Sequence, residues 1–295
     1  MANVTASQKT YTLNNGAKIP AVGLGTYDCN TAAIQTALEV GYRHVDTAKM
    51  YSNEREVGDA IKASGVPRDQ IWITTKLGNT DHKRVAEALD KSLEQLQTDY
   101  VDLYLMHWPA SLDPDKPGSL YGDWDYVDTW REMQKLLASG KARTIGVSNF
   151  GITHMERLLA DKGTKVVPAV NQIELHPFNP SPKLVAYLKE KGIHASAYSP
   201  LGAGNSPVAA SETVKAVAEA KGKTPQQVLL KWGLHHGFSV IPKSVNKSRI
   251  EANFTGLDGW DLDEDDVKAL DNIKDRAKVC GDGWLGAKVF LGDDE

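Results

Sequence analysis

Short apolar runs alternate along most of the chain with longer segments of helical period. The runs are rich in β-branched residues, and they cover 21–26, 44–48, 71–76, 101–107, 142–148, 168–173, 194–200 and 238–243. Strands that are apolar almost throughout are typical of a parallel sheet covered by helices. The pattern therefore predicts eight parallel strands joined by helical connections.

Between these runs, apolar residues recur at spacings of three and four, as they do at Val85, Leu89, Leu93 and Leu96. This spacing predicts helices that each bury one face, at 31–40, 53–64, 83–96, 126–139, 152–160, 182–191, 211–220, 225–234 and 247–254. Strict alternation of strand and helix over this length predicts a closed (β/α)8 TIM barrel, an α/β fold. No linker-like stretch interrupts the pattern, so we expect a single domain over residues 1–295.

Residues 10–20 precede the first predicted barrel strand and alternate apolar and polar positions around Asn15 and Gly16. An Asn-Gly pair between alternating segments is a strong signal for a β-hairpin. We therefore expect an N-terminal hairpin that plugs the N-terminal mouth of the barrel.

The composition is that of an ordinary soluble protein, with 41% apolar and 24% charged residues among 295. A net charge of -4 argues against nucleic acid as a partner, and no apolar run is long enough to span a membrane. Two cysteines cannot form a disulfide framework, and the first ten residues lack the apolar core of a signal peptide. We expect a cytoplasmic monomer or weak dimer.

Polar residues stand where three consecutive predicted strands end. Asp46 lies near the end of the second strand and leads to Tyr51, Lys76 ends the third strand, and His107 ends the fourth. Each residue alone has an ordinary structural interpretation, such as a turn former or a core imidazole. Because functional groups of such barrels lie at the carboxyl ends of the strands, the four together indicate a catalytic site.

The chemistry of these four side chains suits reduction of a carbonyl group. A tyrosine hydroxyl has an unperturbed pKa of about 10, and a neighbouring ammonium such as that of Lys76 would lower it. Asp46 would keep a buried Lys76 charged, and His107 could orient a substrate oxygen. None of the four supplies electrons, so a cofactor must provide the hydride.

Five blocks carry a resemblance to the aldo-keto reductases that runs from the hairpin to about Phe254. The blocks are GYRHVDTAKMYSNE, ITTKLGN, VDLYLMHWP, GKARTIGVSNF with NQIELHP, and AYSPLG with IPKS. The sequences of these blocks are similar to those of members of the fungal glycerol dehydrogenase and aldose reductase type. The resemblance implies that Tyr51 is the general acid, that Lys76 and Asp46 are its relay partners, and that His107 orients the carbonyl.

The resemblance also implies that NADPH (NADP+) is the cofactor. No GxGxxG motif follows a strand, so a Rossmann-type site is not supported. The implied cofactor-binding residues are Ser148, Asn149, Gln172, Tyr198, Ser199, Leu201, Lys243, Ser244, Val245, Arg249 and Asn253. The first three would hold the nicotinamide carboxamide, Tyr198 would stack on the ring, and the last five would surround the 2'-phosphate and adenine. Ala252 stands where many members carry a glutamate toward adenine.

The substrate is less clearly indicated. Tyr27 and Trp108 are expected to bind it, while Gly78 stands where the family often has a tryptophan, which predicts a roomier pocket. The loop 110–125 and the tail around Trp284 are long enough to cover the site. We expect an aldehyde, with aldoses and glyceraldehyde-like compounds as candidates.

Two alternatives stay open at this level. A lysine at a barrel strand end can form a Schiff base, which would make Lys76 the nucleophile of a lyase. A nicotinamide-binding regulatory subunit could also retain the same residues and act through a partner.

Overall fold

The computed structural model describes residues 5–204 and 207–292. Ten strands are present there: β1 (Thr10–Thr12), β2 (Lys18–Pro20), β3 (Leu24–Gly25), β4 (His44–Asp46), β5 (Trp72–Leu77), β6 (Leu103–Met106), β7 (Ile145–Ser148), β8 (Val170–Glu174), β9 (His194–Tyr198) and β10 (Ser239–Ile241). β3 to β10 form one parallel sheet in chain order. Each of these eight strands lies within or overlaps a predicted one.

The sheet closes on itself between its first and last strands. Val22 forms a parallel bridge with Val240, and the Gly23 N–H donates to the Val240 carbonyl at 2.9 Å. The predicted TIM barrel is therefore confirmed. The first strand is shorter than predicted: Val22 forms only an isolated bridge, and the chain turns after Gly25, where the Cys29 N–H donates to Thr26 O at 3.0 Å.

The helices that cover the barrel follow the predicted periodicity. They are α1 (Thr31–Val40), α2 (Glu54–Ser64), α3 (Val85–Leu96), α4 (Tyr126–Ser139), α5 (Ile152–Ala160), α6 (Pro182–Glu190), α7 (Pro207–Ala210), α8 (Glu212–Lys221), α9 (Pro225–His235), α10 (Lys247–Ala252) and α11 (Glu264–Asp271). The nine predicted helices are confirmed, with ends that shift by at most two residues. No helix in the described ranges is long and apolar enough to cross a membrane.

The short α7 and the later α11 were not predicted. α11 did carry a start signal, because Asp263 and Asp266 form a reciprocal capping box at its first turn. Because the first turn of α11 is acidic, the two apolar residues that the helix buries, Val267 and Leu270, did not stand out as a helical pattern.

The N-terminal hairpin covers the bottom of the barrel, as predicted. β1 and β2 pair antiparallel, with Thr12 opposite Lys18. A separate apolar cluster joins the hairpin to the barrel interior and consists of Leu13, Ile19, Leu103, Leu105, Ala169 and Val170. Ile19 is the hairpin residue of this cluster that has no exposed surface.

Replacing Ile19 by alanine should test the contribution of the plug to stability. The change removes a fully buried side chain and leaves a cavity, so the free energy of unfolding should fall by about 2 to 5 kcal/mol in urea titrations. Lys18→Ala on the same strand is the control, because Lys18 is exposed and its loss should have little effect. Equal stability of wild type and Ile19→Ala would show that the hairpin is only loosely attached.

Candidate active site

Neighbouring parallel strands bring the four predicted catalytic residues to one rim. β4 ends with Asp46, and β5 beside it carries Lys76. β6 pairs with β5 up to Met106, which places His107 at the next position beyond the ladder. A short 3-10 helix (Lys49–Tyr51) follows β4 and presents Tyr51 above them.

Lys76 is the buried centre of this group, with no exposed surface. Its Nζ donates to Asp46 Oδ1 at 2.5 Å, to Thr47 O at 2.9 Å and to Tyr51 Oη at 3.4 Å. The three donors of the ammonium therefore each have an acceptor, which is the condition under which a buried charge is tolerated.

The surroundings of Lys76 keep it protonated. Burial alone lowers the pKa of the Lys76 ammonium, but Asp46 and Tyr51 together outweigh this and raise the pKa above its ordinary value. A protonated lysine is a cation that can stabilise a phenolate. It is a poor nucleophile, because Schiff-base formation requires the neutral amine.

Burial raises the pKa of Tyr51, while the adjacent Lys76 ammonium acts in the opposite direction. Lys76 does lower this pKa, as expected, but desolvation of the phenol is the larger effect and leaves the pKa of Tyr51 above its ordinary value. At neutral pH Tyr51 keeps its proton, which is the form that a proton donor needs.

His107 faces Tyr51 across the site. The two rings lie with their centroids 5.8 Å apart at an angle of 75°. Burial lowers the pKa of His107 well below its ordinary value, and the charge on Lys76 lowers it further. The imidazole is neutral at pH 7 and can donate one hydrogen bond without adding a charge.

The residues assigned to the nicotinamide end are joined to one another. Ser148 and Gln172 stand opposite each other on β7 and β8, and Tyr198 ends β9. Asn149 Nδ2 donates to His107 O at 3.0 Å, and Tyr198 Oη donates to Asn149 Oδ1 at 2.8 Å. Asn149 has a φ of 63°, a left-handed conformation that asparagine tolerates better than most residues.

Gln172 connects this group to the four catalytic candidates, because its Nε2 donates to Asp46 Oδ2 at 2.7 Å. Hydroxyl and amide groups thus converge beside the ring of Tyr198. Such an arrangement suits a flat carboxamide-bearing ring, which needs paired polar contacts and an aromatic face. Ser199 and Leu201, the next two predicted residues, are half-buried just beyond β9.

The residues assigned to the phosphate end lie between β10 and the end of α10. Lys243, Val245 and Arg249 are exposed, Ser244 is half-buried, and Asn253 is buried. Lys243 Nζ is 3.8 Å from Asp28 Oδ2, whereas Arg249 has no carboxylate within 4.0 Å in the described parts of the chain. Two exposed cations on one segment suit a phosphate.

The two residues predicted to bind substrate have different surroundings. Tyr27 is 66% exposed at the mouth of the site, and its ring meets that of Tyr51 edge-on at 5.3 Å. Trp108 is only 6% exposed, because Trp284 and Phe290 of the tail pack against it with centroids at 5.6 Å. The tail, rather than Trp108, forms most of the surface on that side.

The chain after α11 is held across the barrel rim by Glu174. This buried carboxylate ends β8 and accepts from the backbone N–H groups of Val279 at 2.7 Å and Cys280 at 2.8 Å. His176 Nε2 lies 3.0 Å from the same carboxylate. Glu174 therefore brings Cys280 beside Ser199, with their Sγ and Oγ atoms 3.9 Å apart.

A second carboxylate shapes the rest of the tail. Asp282 Oδ2 accepts from the N–H groups of Val289 at 2.7 Å and Phe290 at 2.9 Å. The tail also meets the loop 110–125, because Gly286 packs directly on the Gly118 carbonyl and a Cβ at Gly286 would collide with it. The φ of 64° at Gly286 also favours glycine.

Sequence reasoning assigned no role to Glu174 or Asp282. The motif NQIELHP contains Glu174, but its partners lie 105 and 106 residues away, so local pattern could not identify them. Lys49, in the turn that carries Tyr51, also received no role.

Comparison with known proteins agrees with this geometry. The model of the aldo/keto reductase family matches residues 23–275, and the chain belongs to that family. Glycerol 2-dehydrogenase (NADP(+)) of Saccharomyces cerevisiae is 43% identical over 98% of this chain and 99% of its own length. D-galacturonate reductase of Hypocrea jecorina is 44% identical over 89% of both chains. The aldose reductase structure from Schistosoma japonicum superposes with a TM-score of 0.87 at 34% identity, covering 94% of this chain and 96% of that one.

Glu174→Gln should loosen the tail. Glutamine keeps the size of the side chain but has one acceptor oxygen, so one of the two backbone N–H groups at Val279 and Cys280 should lose its partner. Amide hydrogen exchange at these two residues should become at least about tenfold faster, which corresponds to about 1.4 kcal/mol of lost protection. Glu190→Gln, on the exposed end of α6, is the matched control. Unchanged exchange in Glu174→Gln would mean that packing alone holds the tail.

Proposed function

We propose that this protein is an NADPH-dependent reductase of aldehydes, with Tyr51 as the general acid. The observation that carries the proposal is the contact of a protonated, buried Lys76 with both Asp46 and the Tyr51 hydroxyl. His107 and the nicotinamide-end residues line the same rim. Membership of the aldo/keto reductase family and the names of the relatives support carbonyl reduction.

Each side chain would have its own role in carbonyl reduction. His107 donates a hydrogen bond to the carbonyl oxygen and orients it toward Tyr51. NADPH, when bound by the nicotinamide-end residues, would supply the hydride that the carbonyl carbon needs. Tyr51 gives its proton to the oxygen, and Lys76 stabilises the phenolate that results, while Asp46 balances the lysine charge. In the direction of alcohol oxidation, the same phenolate would accept the proton.

The residues present fit a dinucleotide. Ser148, Asn149 and Gln172 would hold the carboxamide, and the Tyr198 ring would flank the nicotinamide. Lys243 and Arg249 would receive the 2'-phosphate, which favours NADPH over NADH. The glycerol 2-dehydrogenase relative is named for NADP(+), which supports the same preference.

The raised pKa of Lys76 argues against the lyase alternative, since that chemistry needs a neutral amine. The regulatory-subunit alternative would retain the same residues, so turnover of NADPH and an aldehyde by the purified monomer is the observation that eliminates it. We propose that the protein acts by itself, as a monomer or weak dimer, on small aldehydes that include aldoses and glyceraldehyde-like compounds.

Tyr51→Phe should remove the proton donor while keeping the ring. We expect kcat for NADPH-dependent reduction of D-glyceraldehyde to fall more than tenfold, which corresponds to a barrier increase above about 1.4 kcal/mol. The dissociation constant of NADPH, from quenching of protein fluorescence, should change little. Turnover at the wild-type rate in Tyr51→Phe would refute the assignment of the general acid.

Lys243→Ala should distinguish the two dinucleotides. The lysine ammonium would contact only the 2'-phosphate, so we expect the dissociation constant of NADPH to rise by about tenfold and that of NADH to stay within about twofold. Fluorescence titration of each cofactor measures both values, and NADH is the internal control. Equal losses for the two would place the phosphate elsewhere.

A further inference from the structure

Glu54 is a buried carboxylate that follows Tyr51 by three residues. It is the first residue of α2, and only 4% of it is exposed. Its Oε1 accepts from Thr75 Oγ1 at 2.6 Å, and its Oε2 accepts from Ser92 Oγ at 3.1 Å. In the part of the chain that the structure describes, no ammonium or guanidinium lies within 4.0 Å of it. Hydroxyl groups, rather than an ion pair, therefore connect this carboxylate to two other elements.

Thr75, the first of these partners, precedes Lys76 on β5. Successive side chains of a strand point to opposite faces of the sheet. Lys76 donates to Tyr51 on one face of β5. Thr75 donates to Glu54 on the other face, where Ser92 of α3 shares the same carboxylate. The segment that carries both Tyr51 and Glu54 is therefore bonded to β5 on both sides.

The residue before Glu54 fixes the same segment to the preceding strands. Asn53 is buried, and its Nδ2 donates to Thr26 O at 2.7 Å. Its Oδ1 accepts from Thr47 Oγ1 at 3.2 Å. Thr26 directly follows β3, and Thr47 directly follows β4. Asn53 thus holds the segment to the rim at β3 and β4, and Glu54 supplies the connection to β5.

The contact between Lys76 and Tyr51 depends on where this segment lies. The Lys76 ammonium is fixed by short contacts with Asp46 Oδ1 at 2.5 Å and Thr47 O at 2.9 Å. Its contact with Tyr51 Oη is much longer, at 3.4 Å. Because side-chain hydrogen bonds are lost beyond about 3.5 Å, a small shift of the tyrosine away from the lysine would break this contact. The tyrosine is therefore the partner whose position needs support from elsewhere.

We propose that Glu54 is a positioning residue for proton transfer: by binding Thr75 on the helix side of β5, it keeps the Tyr51 hydroxyl in contact with Lys76. This inference rests on the proposed function, because it concerns the proton donor of the same reaction. Misplacement of a reacting group lowers the rate of the chemical step. Loss of the Glu54 connection should therefore slow proton delivery and leave binding of cofactor and substrate largely intact.

The surroundings of the carboxylate indicate that its hydrogen bonds matter more than its charge. Burial raises the pKa of the Glu54 carboxyl. The hydrogen bonds from Thr75 and Ser92 act in the opposite direction. The charges of Lys49 and Lys76 also lower this pKa, but each does so less than either hydrogen bond. Glutamine at position 54 could accept from one hydroxyl and donate to the other, so it should keep both contacts without the charge.

The test measures NADPH-dependent reduction of D-glyceraldehyde by variants of the full chain. Glu54→Ala should lower kcat at least about tenfold, while KM and the dissociation constant of NADPH stay within about twofold. Glu54→Gln should restore kcat to within about threefold of wild type, because the hydrogen bonds remain. Glu56→Ala, on the exposed side of α2, is the matched control and should behave as wild type.

Two variants that each remove one hydroxyl decide the question if Glu54→Ala folds poorly. Thr75→Val removes the connection to β5, and Ser92→Ala removes the connection to α3, while both keep the carboxylate. Thr75→Val should lower kcat about three- to tenfold, and by more than Ser92→Ala does, because only Thr75 belongs to the strand of Lys76. Each rate is referred to the concentration of folded enzyme, from titration with NADPH.

A merely structural role would lower the Tm of Glu54→Ala and Thr75→Val but leave kcat per folded enzyme as in wild type, which would overturn the inference. Equal losses of kcat in Glu54→Ala and Glu54→Gln would assign the effect to charge, and a rise in KM alone would assign it to binding. Either result would also overturn it. Absence of NADPH oxidation by the wild type with D-glyceraldehyde and other small aldehydes would instead overturn the proposed function and this inference with it.

Discussion

The Asp46 carboxylate joins the two halves of the site. Its Oδ1 accepts from Lys76 at 2.5 Å, and its Oδ2 accepts from Gln172 at 2.7 Å. The first contact balances the charge that faces Tyr51, and the second fixes the residue assigned to the carboxamide. Loss of this carboxylate would leave a buried ammonium without its counter-ion, a change that usually costs several kcal/mol. One side chain is thus bonded both to the lysine that contacts Tyr51 and to Gln172.

A parallel barrel is well suited to build such a group. Asp46, Lys76 and His107 come from three adjacent strands, and the ladder fixes how far each strand advances toward the rim. Gln172 reaches Asp46 from a strand on the far side, which is possible only because the sheet is closed. The sheet therefore holds the charged groups at hydrogen-bonding distance. The turns and the tail are expected to determine which substrate binds.

Most of the fold could be predicted because strands and helices leave periodic signals, and β5 with α3 is a clear example. The grouping of Asp46, Lys76 and His107 could be predicted because adjacent parallel strands end at the same rim. Two other features could not be predicted from the sequence. The contact of Glu174 with Val279 and Cys280 depends on the path of a tail more than 100 residues away. The net direction of the Tyr51 pKa depends on its depth of burial, which residue types alone do not specify.

The two sides of the mouth are built differently, and this difference bears on selectivity. On one side, Glu174 and Asp282 hold the tail so that Leu285 and Val289 cover Trp108 in a compact apolar cluster. A substrate can gain little there except through shape. On the other side, the stem of Lys49 and the Asp81 carboxylate pack over Gly78, and the exposed Tyr27 ring lies edge-on to Tyr51. Discrimination between similar aldehydes is therefore expected to depend more on the side that carries Tyr27, because its exposed ring is less constrained by packing than the apolar cluster around Trp108.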